Sequence, residues 1–224
     1  MQTIKNFEKW NENYIKKYDI EEYYKSSLIV RFIEEKRIKQ IVNLIQTQEG
    51  DRIIELGCGA GHILEKIPWG NLTGVDISET LLKKAEKRLQ KRNAVLIKGN
   101  IEDLPQAVKN KKFDKIICSE VLEHVQNPGK VIDEILKIAH KDSVIVISIP
   151  NEKLINRLKG IFLKLRIFFN LFPNSSKKMD EEWHLHSFNM NLLEKYTKGK
   201  LIIKKVKAVP FWFLPIRYVV KFKI

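Results

Sequence analysis

The chain has 224 residues, 44% of them hydrophobic, with 10 Gly and 7 Pro, a composition that can build a core and excludes a disordered or fibrous chain. Two Cys exclude a disulfide framework and point to a reducing, cytoplasmic compartment. Residues 1–14 are polar and lack the apolar stretch of a secretory signal, and no apolar run reaches the ~18 residues of a bilayer span. The net charge is +14, which calls for an anionic surface or substrate as its explanation, or for nothing more than a solvated lysine-rich surface.

Taken in order, the pattern predicts alternating helices and strands. Leu28, Ile29, Phe32, Ile33, Ile41, Leu44 and Ile45 recur near helical spacing and predict a helix over 22–46. The β-branched run 52–56 predicts a strand that ends at Gly57. Residues 60–67 suit a short helix stopped by Pro68, and 71–76 a second strand. Ser78 is placed to cap a helix over 79–92, with Glu79 at its start and Lys and Arg towards its end. Strands follow at 94–98 and 113–118, then a helix over 128–140 with Pro128 in its first turn, and a strand over 143–149. Near-continuous apolar strands alternating with helices predict a doubly wound parallel sheet. The tail departs from this pattern: 201–209 and 216–224 read as a strand pair joined by Phe211-Trp212-Phe213-Leu214-Pro215.

Between the first strand and its helix lies Glu55-Leu56-Gly57-Cys58-Gly59-Ala60-Gly61. Glycines there allow a sharp turn and a close approach of backbone to a ligand. The dinucleotide fingerprint would need Gly where His62 stands, and the phosphate loop's Gly-Lys-Ser/Thr is absent. Glu55 is poorly suited to a phosphate and well suited to an ammonium group. Asp76 ends the second strand, where a carboxylate can accept both hydroxyls of a ribose. Together these residues describe a pocket for a nucleoside that carries an amino-acid tail.

Residues 53–61 resemble the first motif of class I S-adenosylmethionine-dependent methyltransferases. Gly74-Val75-Asp76-Ile77-Ser78 resembles the second, residues 98–105 the third, and residues 113–125 the fourth. The family fold implied is Rossmann-like: a doubly wound seven-stranded sheet with an antiparallel C-terminal hairpin and helices on both faces. The resemblance implies one methyltransferase domain over 1–224, with a helical cap to 48, a cofactor core over 49–150, an insert over 151–182 and a C-terminal helix and hairpin. It implies that S-adenosyl-L-methionine is the cofactor. Glu55 and the Gly57, Cys58, Gly59, Gly61 loop would hold its methionine portion. Asp76 would take the ribose and Ile77 would pack on the adenine. Asn100 stands where the family usually has Asp. It would accept from the adenine amino group through its side-chain oxygen, with the Ile101 backbone beside it. Ser119 and Glu120 would line the reacting end.

Methyl transfer to oxygen needs a proton acceptor. His124, just beyond the fourth strand, and His184 are the candidates. Glu120-x-x-Glu123-His124 has the spacing of one helical turn. Two carboxylates and an imidazole can hold a divalent cation, and the pattern resembles that of quinone-biosynthesis O-methyltransferases and of small-RNA 3′-end methyltransferases. In the latter a distant His completes a metal site, a place His184 or His186 could take. The same spacing also suits a plain helix start, and no metal is assigned on sequence. Trp183-His184-Leu185-His186-Ser187-Phe188 resembles a segment that borders the acceptor pocket, or forms a packing corner. Trp10, Tyr14, Tyr18, Tyr23 and Tyr24 read as core of the first helices, or as a lid over the cofactor.

The charge is uneven. Residues 1–150 carry 25 basic and 22 acidic residues, whereas 151–224 carry 16 and 5, a net of +11. At about 100° per residue, the apolar residues of 154–172 cover a broad arc with Lys and Arg outside it, the pattern of a basic amphipathic helix. Such a helix suits peripheral contact with a membrane or a cap over the acceptor pocket. Its greasiness ranks nucleic acid lower. The sequence therefore points to a methyltransferase acting on a small or lipid-like acceptor, with oxygen the favoured atom. An RNA methyltransferase and a non-catalytic S-adenosylmethionine-binding protein are the alternatives.

Overall fold

The computed structural model describes residues 6–17, 27–166, 168 and 184–224. Its chain order is α1 (Phe7–Lys17), α2 (Leu28–Ile45), β1 (Arg52–Leu56), α3 (His62–Lys66), β2 (Asn71–Asp76), α4 (Glu79–Leu89), β3 (Val95–Lys98), α5 (Gln106–Lys109), β4 (Phe113–Ser119), α6 (Pro128–Ile138), β5 (Ala139–Pro150), α7 (Glu152–Lys164), α8 (Met190–Thr197), β6 (Ile202–Phe211) and β7 (Leu214–Lys223).

The strands form one seven-stranded sheet in the order β3-β2-β1-β4-β5-β7-β6. The first five are parallel, and β7 lies antiparallel to both β5 and β6. The chain winds outward from β1 through β3 and then restarts at β4 on the other side of β1. This reversal opens a crevice beyond the carboxyl ends of β1 and β4, where open α/β sheets bind their ligands. The inner parallel strands are buried on both faces, which is why Ile53–Leu56 of β1, Ile116–Cys118 of β4 and Val144–Ile149 of β5 are mostly apolar, whereas the edge strand β3 stays partly exposed. Ile54, Leu56, Ile116 and Cys118 face a core shared with α6 and Phe188. Ile53, Ile117, Val146 and Val219 face the opposite core under α2 and α3.

Several boundaries move from expectation. The helix predicted over 128–140 ends at Ile138, and β5 begins at once at Ala139. Side chains explain the change: Ser143 Oγ donates to the Phe113 carbonyl (2.7 Å), and His140 Nε2 lies 2.9 Å from Asp114 Oδ1, drawing 139–143 alongside β4. The helix predicted over 154–172 is α7, which ends at Lys164 before Arg166 turns left-handed at φ 58°. Residues 167 and 169–172 of that prediction lie outside the described residues. Glu152 is the buried residue of α7, and Ile161 is exposed, so the expected apolar stripe is not sunk into a core along this helix. Residues 22–26 of the first predicted long helix, Tyr18, Tyr23, Tyr24 and Trp183 also lie outside the described residues. Phe7 and Tyr14 are buried and Trp10 stacks on Phe7 (5.6 Å between rings), so these aromatics of α1 pack as core. No helix among the described residues is long and apolar enough to cross a membrane.

Candidate active site

The glycine loop follows β1 and is strapped to the end of β2. Gly57 and Cys58 both donate their amides to the Val75 carbonyl (2.8 and 3.0 Å), and the Gly59 amide donates to Asp76 Oδ2 (2.7 Å). Gly57 has φ 73°, and a Cβ there would sit 2.4 Å from Val121 Cγ2. Only glycine allows both the left-handed backbone and that approach. Cys58 turns its buried side chain into the core under α2, against Gly74. It can offer a ligand its backbone and not its thiol, which burial pushes to a high pKa.

Glu55 lies on the α2 face of β1, almost fully buried, and its Oε2 has no hydrogen-bond partner. Burial raises its carboxyl to about 8, against the attraction of Arg37 and with the repulsion of Asp76. An orphaned, buried carboxylate oxygen beside a glycine loop suits an ammonium donor. Asp76 is buried as well, and burial raises its pKa. Its Oδ1 accepts the Ser78 amide at 2.8 Å. Its oxygens accept the Gly59 and Ser78 amides, which leaves acceptor capacity for hydroxyl groups.

Ile77 is half-buried directly after Asp76, and Ile101 is buried. The Asn100 side-chain oxygen caps its own turn by accepting the Glu102 amide (2.9 Å). It keeps a second lone pair and its amide group. At the same edge, α1 is pinned to the start of α4 and the end of β3. Glu12 accepts from Ser78 Oγ (2.7 Å) and from Thr80 Oγ1, and Glu8 meets Lys98 (2.6 Å).

The reacting end is organised by a closed ring of buried and half-buried polar groups. Arg37 Nη1 donates to Ser119 Oγ, which meets Ser148 Oγ (2.8 Å), which donates to Glu120 Oε1 (2.8 Å). Arg217 then links Glu120 Oε2 (2.7 Å) to Glu34 Oε1 (2.9 Å), and Glu34 Oε2 accepts from Arg37 Nε (2.9 Å). Burial alone would raise the Glu34 pKa. Arg37 and Arg217 outweigh it and hold the carboxyl below its ordinary value. The ring joins α2, β4, β5 and β7, and it commits the Ser119 hydroxyl expected to face a ligand.

Glu120 does not act with Glu123 and His124 on a helical turn. Residues 120–126 contain no α-helix, and Glu120 takes φ 54° as the chain leaves β4. That conformation swings its carboxylate to Arg217. Glu123, His124 and His184 do come together, with one potential ligand atom from each within 4.8 Å of the others. The imidazoles of His124 and His184 meet edge to face at 4.7 Å. His184 Nδ1 lies 2.9 Å from Glu152 Oε1, and His124 Nε2 lies 3.9 Å from Glu123 Oε1. Glu123 Oε2 is buried without a hydrogen-bond partner. Burial first, then the Glu120 charge, raises the Glu123 carboxyl to about 8, while His184 draws it down. The Leu185 and His186 amides both donate to the Glu123 carbonyl (2.8 and 3.2 Å), which fixes His184 beside it. His186 Nε2 instead reaches the Val125 carbonyl (2.9 Å), so His184, not His186, joins His124 in this cluster.

Sequence reasoning missed Arg37, Glu34 and Arg217. For the first two a signal was present. Val30, Glu34, Arg37, Ile41 and Leu44 recur three and four apart and are the buried face of α2, so both charges sit on the apolar stripe itself.

A family model described as a methyltransferase domain matches residues 47–202. An uncharacterised protein of Methanocaldococcus jannaschii is 28% identical over 217 residues, covering 95% of this chain and 89% of its own. The ubiquinone biosynthesis O-methyltransferase of Dechloromonas aromatica is 31% identical over 106 residues, covering 46% of this chain and 45% of that protein. The match thus spans about half the length of that relative. Magnesium protoporphyrin IX methyltransferase from Synechocystis PCC 6803, crystallised with bound SAH, superposes with a TM-score of 0.68 at 13% identity, covering 97% of this chain and 99% of that one. The sheet order, the glycine loop tied to Asp76 and the matched family model lead to one conclusion: the chain belongs to the methyltransferase-domain family, as a class I methyltransferase that uses S-adenosyl-L-methionine.

Proposed function

We propose that this chain methylates an oxygen of a small or lipid-like acceptor. The observation that carries the reading is the Glu123–His124–His184 cluster at the carboxyl end of β4, beside the residues proposed for the cofactor. Glu55 would hold the cofactor's ammonium, Asp76 its ribose hydroxyls, the Gly57–Gly61 backbone its methionine portion, and Asn100, Ile101 and Ile77 its adenine. Arg37 supplies positive charge at the methionine end.

The sulfonium of the bound cofactor supplies an already activated methyl group. The task left to the protein is alignment of the acceptor oxygen and removal of its proton. His124 or His184 would take that proton, with the Glu152 carboxylate 2.9 Å from His184 Nδ1 to stabilise its charged form. With the cofactor bound, a bond from the acceptor oxygen to the methyl carbon would form as the methyl–sulfur bond broke, leaving S-adenosyl-L-homocysteine.

A second reading is favoured by the donor set itself. Two imidazoles and a buried carboxylate oxygen without a partner form a fitting group for a divalent cation. Such a cation would be held by Glu123, His124 and His184, with Glu120 excluded by its bond to Arg217, and would polarise the acceptor oxygen.

The experiment is a pair of substitutions, His124→Ala and His184→Ala, assayed for cofactor binding and for transfer of labelled methyl. Cofactor affinity within about twofold of wild type, with transfer reduced roughly 100-fold or more, supports the reading. Full transfer in both variants contradicts it. Wild-type activity abolished by a chelator and restored by one divalent ion selects the second reading over the first.

A further inference from the structure

The β6–β7 hairpin ends in a cluster of aromatic side chains that the reaction does not use. Trp212 is 85% exposed and Phe213 is 65% exposed. Phe213 stacks parallel on Phe211 at 5.3 Å, and Phe211 meets Phe32 of α2 at 6.0 Å. Leu28, 74% exposed, and Ile29 extend the apolar surface along the first turn of α2. Side chains of this size normally dominate cores, so a contiguous group held open to water marks a surface that meets something apolar.

Its position in the fold is informative. The end of β5, Pro150, pairs with Arg217 of β7. β7 starts three residues earlier, at Leu214, so the hairpin tip reaches about 10 Å beyond the carboxyl end of the sheet. That edge carries the candidate active site. The Asn151 side chain and amide bond the Pro215 and Ile216 carbonyls (both 2.9 Å), so α7 departs from the base of the same tip. Along α7, Lys153, Arg157 and Lys164 are exposed.

Charge identifies the occupant. Around the apolar tip, Arg31 and Lys36 lie on α2, and Lys36 Nζ sits 5.4 Å from the centre of the Phe32 ring. Glu35 is the exposed acid between them, paired with Arg31 at 3.8 Å. The part of the chain that supplies the hairpin and α7 carries a net charge of +11. Trp and Phe rimmed by Lys and Arg match the headgroup boundary of an anionic bilayer. There the rings enter the interface and the cations meet lipid phosphates.

We infer that the Phe211–Leu214 tip and the first turn of α2 seat the mouth of the active site on an anionic membrane surface. The inference deepens the reading of a lipid-like acceptor and rests on it, because a mouth held against the bilayer receives such an acceptor without passing it through water.

The test is vesicle flotation of the full chain, with phosphatidylcholine vesicles compared against vesicles containing about one-third phosphatidylglycerol. Wild type is expected to float with the anionic vesicles and not the neutral ones, less so at high salt. The double variant Trp212→Ala/Phe213→Ala is expected to lose about tenfold or more in partitioning while binding S-adenosyl-L-methionine as wild type does. Equal flotation of variant and wild type overturns the inference. So does a wild type that ignores both vesicles, or one that uses these residues only to dimerise in sedimentation. Flotation needs no methyl transfer, so the two ideas fail separately. Docking without methylation of any small or lipid-soluble compound sinks the proposed function. Methylation of an apolar acceptor in detergent, without docking, sinks this inference.

Discussion

Arg217 of β7 binds Glu120, the residue directly after β4, at 2.7 Å. This one bond removes Glu120 from the cluster that its spacing to Glu123 and His124 implied. It also ties the C-terminal hairpin to the reacting end of the site, because the same guanidinium holds Glu34 of α2. Removing Arg217 would leave half-buried Glu120 without this cation and buried Glu34 with Arg37 alone. Arg217→Ala is expected to lower the unfolding free energy by about 3 kcal/mol, a fall of roughly 8 °C in Tm for a chain of this size. Thermal denaturation followed by circular dichroism measures it. A change below about 1 kcal/mol would mean the ring stabilises little.

Asp76 braces the glycine loop through the Gly59 amide, and in the proposed function its remaining lone pairs would take the ribose hydroxyls. Asp76→Ala is expected to weaken S-adenosyl-L-methionine binding by roughly 10- to 100-fold, the value of hydrogen bonds to a charged group. Calorimetric titration reads this directly. Unchanged affinity would sink the ribose assignment.

Glu55 gives a pH signature. Its folded pKa of about 8 stands above the ordinary 4.5, so its contribution to stability is complete below pH 4.5 and is lost as pH rises through 8. Between those limits the ligand-free protein is expected to lose roughly 1 kcal/mol per pH unit from this group. Glu55→Gln should flatten that part of the Tm profile. Bound cofactor should flatten it too, because its ammonium would keep Glu55 ionised. A wild-type profile unaffected by either change would contradict the assignment of Glu55.

The Gly57 turn predicts a size limit. Gly57→Ala places a methyl against Val121 and forces φ 73° on a residue with a Cβ. The expected cost is about 1–3 kcal/mol, with weaker cofactor binding. Adding Val121→Ala relieves the contact and not the backbone, so rescue should be partial. Complete rescue would show that the left-handed conformation matters little.

The glycine loop and the acid proposed to hold the cofactor were legible in the sequence because their signals are local. A glycine loop after an apolar strand, and an acid at the end of the next, need only a few neighbouring residues to be recognised. Both strands appear as β1 and β2 over the predicted residues. The reacting half was less legible because its bonds are long-range. Glu34 and Arg217 are 183 positions apart, and no periodicity links them. The helical-turn reading of Glu120 failed for the same reason: its left-handed backbone serves a partner almost a hundred residues away. Helix α5 escaped notice because Gln106–Lys109 is a single turn, too short to show a period.

The most direct test of the proposed function is the fate of the methyl group. Purified protein with S-adenosyl-L-methionine labelled in the methyl group would be offered a lipid extract, an RNA pool and a protein pool. The proposed function predicts label in the lipid-soluble fraction, bound through oxygen, and loss of that label in His124→Ala or His184→Ala. Label in RNA or protein alone, or no transfer despite tight cofactor binding, would contradict it.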